Sequence, residues 1–134
     1  MSIHILDASA MVAYLSGELG DAVVTSLLMD PNAVCYAHSL NLCEVYYDTL
    51  RATDAKRARQ TIAILFADGV IERQIMSRHF WQRVGNLKAR GRISLADCFG
   101  IALAQHLGGE IVTSDHHEFD ALVPLNIVPI RFIR

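Results

Sequence analysis

The sequence predicts an α/β fold: a single domain over residues 1–134, built on a central parallel sheet flanked by helices. Three observations carry that expectation. Short apolar, β-branched runs recur at Ile3–Leu6, Ala33–Tyr36, Val70–Gln74, Glu110–Thr113 and Ile127–Phe132. Stretches at helical spacing fill the intervals between the first four runs, and strands separated by helices pair in parallel. A length of 134 residues with 52% hydrophobic content is enough for one sizeable core.

The elements follow in order. Ile3–Leu6 reads as a buried central strand, after which Asp7-Ala8-Ser9 opens a short helix through Leu15 that Gly17 ends. Asp21 to Met29 has helical spacing, and Asp30-Pro31-Asn32 is a turn leading into the second strand. His38-Ser39 caps a helix through Leu50, and Thr53-Asp54 starts another through Phe66, so the two form a helical hairpin. Asp68-Gly69 turns into the third strand. Ser77 opens a helix through Ala89, and Arg90-Gly91-Arg92 is a basic turn. Ser94 caps a helix from Leu95 to Leu107, which Gly108-Gly109 stops before the fourth strand. His116-His117-Glu118-Phe119 reads as a turn, and the last strand follows.

Composition excludes several classes. Charged residues are 19% and the formal charge is −2, which fits neither a disordered tail nor a protein that attracts polyanions through its overall field. No apolar stretch reaches about 18 residues, so a membrane span is not expected. Met1-Ser2 runs directly into a strand pattern with no basic leader, so a cytoplasmic location is expected. Cys35, Cys43 and Cys98 are odd in number, unpaired in spacing and set among apolar residues, and read as buried thiols.

The charges are most informative where they are isolated. Asp7 ends Ile3-His4-Ile5-Leu6, Glu44 sits within Tyr36–Tyr47, Asp97 within Ile93–Ala104, and Asp115 closes Ile111-Val112-Thr113-Ser114. Each is the only formal charge in its apolar run. No lysine or arginine lies near Asp7 or Glu44, and Asp97 has only Arg90 and Arg92 upstream. A buried carboxylate without a partner is costly, and several of them are reconciled most simply by converging on one divalent cation. Asp7 and Asp115 fall at the carboxyl ends of strands, where open parallel sheets form their ligand crevice. Helix capping is the alternative for Asp7, for Asp97 (three residues after Ser94) and for Asp115. Glu44, in mid-helix, has no cap to serve.

Other constellations are weaker. His116-His117 lacks a third ligand at a recognised spacing, and no Gly-x-Ser-x-Gly, Gly-x-Gly-x-x-Gly or Walker loop is present. Basic residues cluster at Arg51, Lys56, Arg57 and Arg59, and again at Lys88, Arg90 and Arg92. The second cluster runs straight into the Asp97 segment and is the better candidate for contact with a nucleic-acid backbone, solvated helix faces being the alternative for both. Leu40, Tyr46, Tyr47, Leu50, Ile62, Ile64, Leu65 and Phe66 supply more apolar surface than one face of a hairpin needs, which calls for a second copy or a partner peptide.

Ile5-Leu6-Asp7-Ala8-Ser9-Ala10, Asn41-Leu42-Cys43-Glu44-Val45, Ser94–Ala102 and Val112–Phe119 resemble, in order and spacing, the four acidic motifs of PIN-domain nucleases. The short form with its hairpin is similar to the VapC toxins of toxin–antitoxin pairs. The resemblance implies an Mg2+- or Mn2+-dependent endoribonuclease whose metal is held by Asp7, Glu44, Asp97 and Asp115. It also implies that Ser9 and Thr113 support these acids, that the chain forms a homodimer, and that a cognate antitoxin fills a groove on it. A catalytically silent PIN-like domain that binds RNA or protein is the alternative.

Overall fold

The computed structural model describes residues 1–134. Five strands, β1 (Ser2–Leu6), β2 (Ala33–His38), β3 (Val70–Arg73), β4 (Glu110–Thr113) and β5 (Ile130–Phe132), form one sheet in the order β3-β2-β1-β4-β5. Every pairing is parallel, with Ile5 opposite Tyr36 on one side and Ile111 on the other. Helices α1 (Ala8–Ser16), α2 (Asp21–Met29), α3 (Ser39–Ala52), α4 (Ala55–Ala67), α5 (Arg78–Arg90), α6 (Leu95–Leu107) and α7 (His116–Phe119) make the connections.

Period-two alternation in the strands splits the core in two. Ile5 and Ile111 face a cluster with Phe80, Val84 and Leu87 of α5 and Ile101 and Leu103 of α6. Their neighbours Leu6 and Val112 face the other side, against Met11 of α1, Val24 of α2, Val45 of α3 and Leu65 of α4. From β1 the chain steps outward through β2 to β3, then crosses back to place β4 on the other flank of β1. The order therefore reverses between β1 and β4, and that switch point is where a parallel sheet opens a crevice at its carboxyl end.

Helix starts follow the predicted caps. The side chains of Asp7, Asp54, Ser77, Ser94 and Asp115 accept from the backbone N–H three residues on, and His38 from that of Leu40. Gly17 and Gly108 end α1 and α6 at φ of 65° and 72°, a left-handed conformation that costs other residues energy.

Three local expectations are corrected. His116–Phe119 is a short helix continued by a 3-10 segment over Asp120–Leu125, because the Asp115 cap starts a helix that the sequence suggests only as a turn. The last strand begins at Ile130 and not at Ile127: Asn126 adopts φ 52° and Pro129 has no N–H to give a ladder, although its carbonyl accepts from Ile111 N. Cys43 is exposed, because it lies two residues from Asn41 on α3 and so on nearly the opposite face from buried Asn41, Leu42 and Val45. Cys35 and Cys98 are buried as free thiols. No single helix is long and apolar enough to cross a membrane.

Candidate metal centre

Asp7 is delivered by the end of β1, and its backbone N–H still reaches Val112 O at 3.1 Å. The side chain is 1% exposed. Its Oδ1 accepts from Ala10 N at 2.9 Å and Ser9 Oγ at 2.7 Å, and its Oδ2 accepts from Thr113 Oγ1 at 2.5 Å. The capping role is therefore real, but it occupies only one face of the carboxylate. With about two acceptor sites per oxygen, Oδ2 retains one free site. Burial pushes the Asp7 carboxyl up to about 6, against the opposing pull of its three hydrogen bonds, and Asp115 adds repulsion.

Thr113 and Ser9 lock the two strand ends together. Thr113 Oγ1 accepts from Asp115 N at 2.9 Å, and Ser9 Oγ accepts from Ser114 N at 2.9 Å. The two hydroxyls lie 3.2 Å apart. This network fixes where Asp115 leaves β4, and Asp115 Oδ1 then caps α7 by accepting from Glu118 N at 3.1 Å.

Asp97 is only 8% exposed, in the first turn of α6. Ser94 Oγ accepts from its backbone N–H at 3.2 Å, as a capping box requires. The reciprocal half of that box is not made by Asp97. Glu118 Oε1 takes the Ser94 N–H instead, at 3.0 Å, which leaves the Asp97 carboxylate without a protein donor. Asp97, Asp115 and Glu118 each present an oxygen within 4.8 Å of the others. Asn41 Nδ2 donates to Ala96 O at 3.2 Å and so ties α3 to the start of α6.

Glu44, on α3, lines the same cleft. Its carboxyl is pushed up to about 6, first by burial and then by repulsion from Asp7, Asp48 and Glu118, against the lowering influence of the nearby Asn41 amide. Glu44 Oε1 and Glu118 Oε2 are buried with no hydrogen-bond partner. The cleft, about 420 Å3, brings together all four sequence-predicted acids plus Glu18, Asp48 and Glu118. Its only cation is Arg134, whose guanidinium is engaged by Glu18 at 3.2 Å and Leu19 O at 3.1 Å. None of Asp7, Glu44, Asp97, Asp115 and Glu118 takes part in an ion pair.

Glu118 is the residue that sequence reasoning left without a role. It sits in the polar run His116-His117-Glu118, where no apolar surroundings mark it. Its one available signal is the i, i+3 spacing from Asp115 on the same short helix. Of the basic cluster, Lys88 is tied down, its Nζ donating to Ile93 O at 2.8 Å. Arg90 and Arg92 are exposed on the turn before Ser94.

The sequence pattern of the PIN domain family matches residues 4–123, which takes in all five of these carboxylates. The chain belongs to the PIN-domain family. Solved structures share the fold of this PIN domain across almost its whole length. The VapBC2 complex of Rickettsia felis bound to promoter DNA superposes with a TM-score of 0.75, covering 97% of this chain and 98% of that one at 15% identity. DNA-bound VapBC from Salmonella typhimurium gives 0.74, with full coverage of both chains and 14% identity. VapC20 of Mycobacterium tuberculosis, a sarcin–ricin loop cleaving toxin, gives 0.70 over 88% of this chain and 94% of that one, at 15% identity. No curated protein matches by sequence. At these identities the structural likeness is one of fold.

Proposed function

We propose that this PIN domain is a VapC-like toxin: an endoribonuclease that uses a divalent metal, Mg2+ or Mn2+, to hydrolyse RNA phosphodiester bonds. The observation that carries the reading is the convergence of five carboxylates, none of them ion-paired, at the switch point between β1 and β4. The donor set fits a hard cation. It consists of carboxylate oxygens only, with Asp97, Asp115 and Glu118 each presenting one within 4.8 Å of the others, and Glu44 Oε1 and Glu118 Oε2 are buried without partners.

Asp97, Asp115 and Glu118 would hold the ion most closely, with Asp7 and Glu44 lining the same cleft. When bound, such an ion supplies Lewis acidity at the phosphoryl oxygen and a lowered pKa for water. The protein's own contribution is positioning. Thr113 and Ser9 hold Asp7 and the start of the Asp115 segment in register, and the Ser94 N–H holds Glu118. The same negative cluster excludes a phosphodiester until its charge is offset, so RNA and cation bind together. Exposed Tyr47, Leu50, Ile64 and Phe66 on the α3–α4 hairpin are consistent with a homodimer and with an antitoxin partner, and all of this suits a cytoplasmic protein.

The test is cleavage of a structured RNA with millimolar Mn2+, with EDTA, and by the Asp97→Asn variant. Cleavage should require Mn2+ and fall by orders of magnitude in the variant. A pure capping role for Asp97 predicts normal activity, because the cap is made by Ser94 Oγ and the Asp97 backbone. A wild type that is inert on every RNA with Mn2+ would favour a silent binding domain.

A further inference from the structure

We propose that the cavity next to the acid cleft is a nucleobase subsite, receiving one unpaired base of a single-stranded RNA beside the phosphate to be cut. The inference rests on the nuclease reading for its substrate, but its geometry is separate. The cavity is about 640 Å3, within the about 300–1,000 Å3 range of small-ligand sites. Its floor is apolar, formed by Leu87, Ile93, Leu122 and Ile127 from four different segments. Leu125 also lines it and is 59% exposed.

Two features select the occupant. Arg90 and Arg92 frame the mouth and form no ion pair, and Glu118 is the only carboxylate of the lining. An apolar floor with a cationic rim matches a base joined to an anionic backbone, since bases pack on apolar and planar surfaces while phosphates meet guanidinium groups. Glu118 lines both this cavity and the acid cleft, so an occupant of one lies beside an occupant of the other. The Lys88–Ile93 hydrogen bond holds the arginine-bearing turn in place over the floor. A base in a duplex cannot enter such a cavity, so the substrate is unpaired at this position. The apolar side chains offer packing, so the subsite selects a base by size and stacking, and His117 and Glu118 are the polar groups of the lining besides the two arginines.

The test follows methyl NMR signals of Leu122, Leu125 and Ile127 in the full-length wild-type protein with Ca2+ replacing Mg2+, a hard cation that takes the same oxygen ligands. The probes are a five-nucleotide RNA and the same RNA with an abasic central position; wild-type cleavage is assayed in parallel. The intact RNA should shift these methyls and the abasic one should not. Leu125→Ser, at an exposed position, should weaken the intact RNA roughly ten-fold and leave the abasic one unchanged. Arg92→Ala should weaken both. Equal shifts with the two RNAs, or no shift with either, would overturn the subsite, as would shifts that follow protein concentration alone and so report a second copy in the cavity. Base-dependent shifts without wild-type cleavage would sink the nuclease reading and keep the subsite; cleavage without base-dependent shifts would do the reverse.

Discussion

Replacing Asp7 by asparagine should make the metal-free protein more stable while abolishing its activity. Burial holds the Asp7 carboxyl at about 6, against 3.8 for a free aspartate. Carrying the charge at pH 7 therefore costs the fold about 3 kcal/mol. The hydrogen-bond network accepts the amide. Its oxygen can still accept from Ala10 N and Ser9 Oγ, and its NH2 can donate to Thr113 Oγ1. Thr113 then turns its own hydrogen toward Ser9 Oγ, 3.2 Å away, and both hydroxyls remain satisfied. Asparagine is also as good an N-cap as aspartate. The gain at pH 7 should thus approach about 3 kcal/mol, or roughly 10 °C in Tm for a chain of this size.

The sign of the pH dependence separates this account from generic stabilisation. The folded pKa is raised, so the native state binds more protons than the unfolded state between about pH 4 and pH 6. The wild-type penalty is absent below that window, grows across it and is complete above it. Urea denaturation in EDTA at pH 4 and at pH 7 should show a difference between Asp7→Asn and wild type that is near zero at the first and full at the second. A variant destabilised at pH 7, or a gain equal at both pH values, would refute the reasoning.

Three further outcomes are expected. Millimolar Mn2+ should raise Tm at pH 7 and much less at pH 5, because Asp7 and Glu44, both held at about 6, then bind protons in its place; equal shifts at both pH values, or none, would count against a shared site. Glu118→Gln keeps the acceptor for Ser94 N, so folding should be normal while Mn2+ affinity, measured by calorimetry, drops about 10- to 100-fold; an unchanged affinity would remove Glu118 from the site. Phe66→Ser on the hairpin, at a position 42% exposed, should leave the monomer stable and weaken self-association in sedimentation, and an unaltered oligomer would clear that face of the role.

Much of the fold is legible from local chemistry. β1 and β4 announce themselves as β-branched runs, Asp54, Ser77 and Ser94 cap the helices that the sequence has them open, and Asp7 caps α1 as its alternative reading allows. The 3-10 segment at Asp120–Leu125 was not legible, because Val123-Pro124-Leu125 carries neither helical spacing nor a tolerable helix interior. In the site, isolation of charge in apolar sequence marked Asp7, Glu44, Asp97 and Asp115, which all reach one cleft. That signal reports burial. It cannot report a carboxylate in a polar segment that tertiary structure later brings inward, and Glu118 is such a residue. Only the packing of α7 against the start of α6 gives it the Ser94 N–H and leaves its second oxygen buried and alone.

That substitution of partners explains how the site reconciles stability with chemistry. A helix start at Ser94 calls for an acceptor for its N–H, and the nearest carboxylate in sequence is Asp97. Had Asp97 closed the box, one of its oxygens would have been consumed and the side chain drawn back along its own helix. Glu118 supplies the acceptor from another segment, so the cap is kept and Asp97 stays free within 4.8 Å of Asp115. The same division of labour recurs at β1, where the hydroxyls of Ser9 and Thr113 and the Ala10 N–H hold Asp7 by three of its acceptor sites and leave Oδ2 a fourth. Asp7, Asp115 and Glu118 are each anchored through part of the carboxylate and left open through the rest, and Asp97 is left open altogether. The result is a cluster that folding tolerates at a cost of a few kcal/mol, and that a single divalent cation would turn into a net gain.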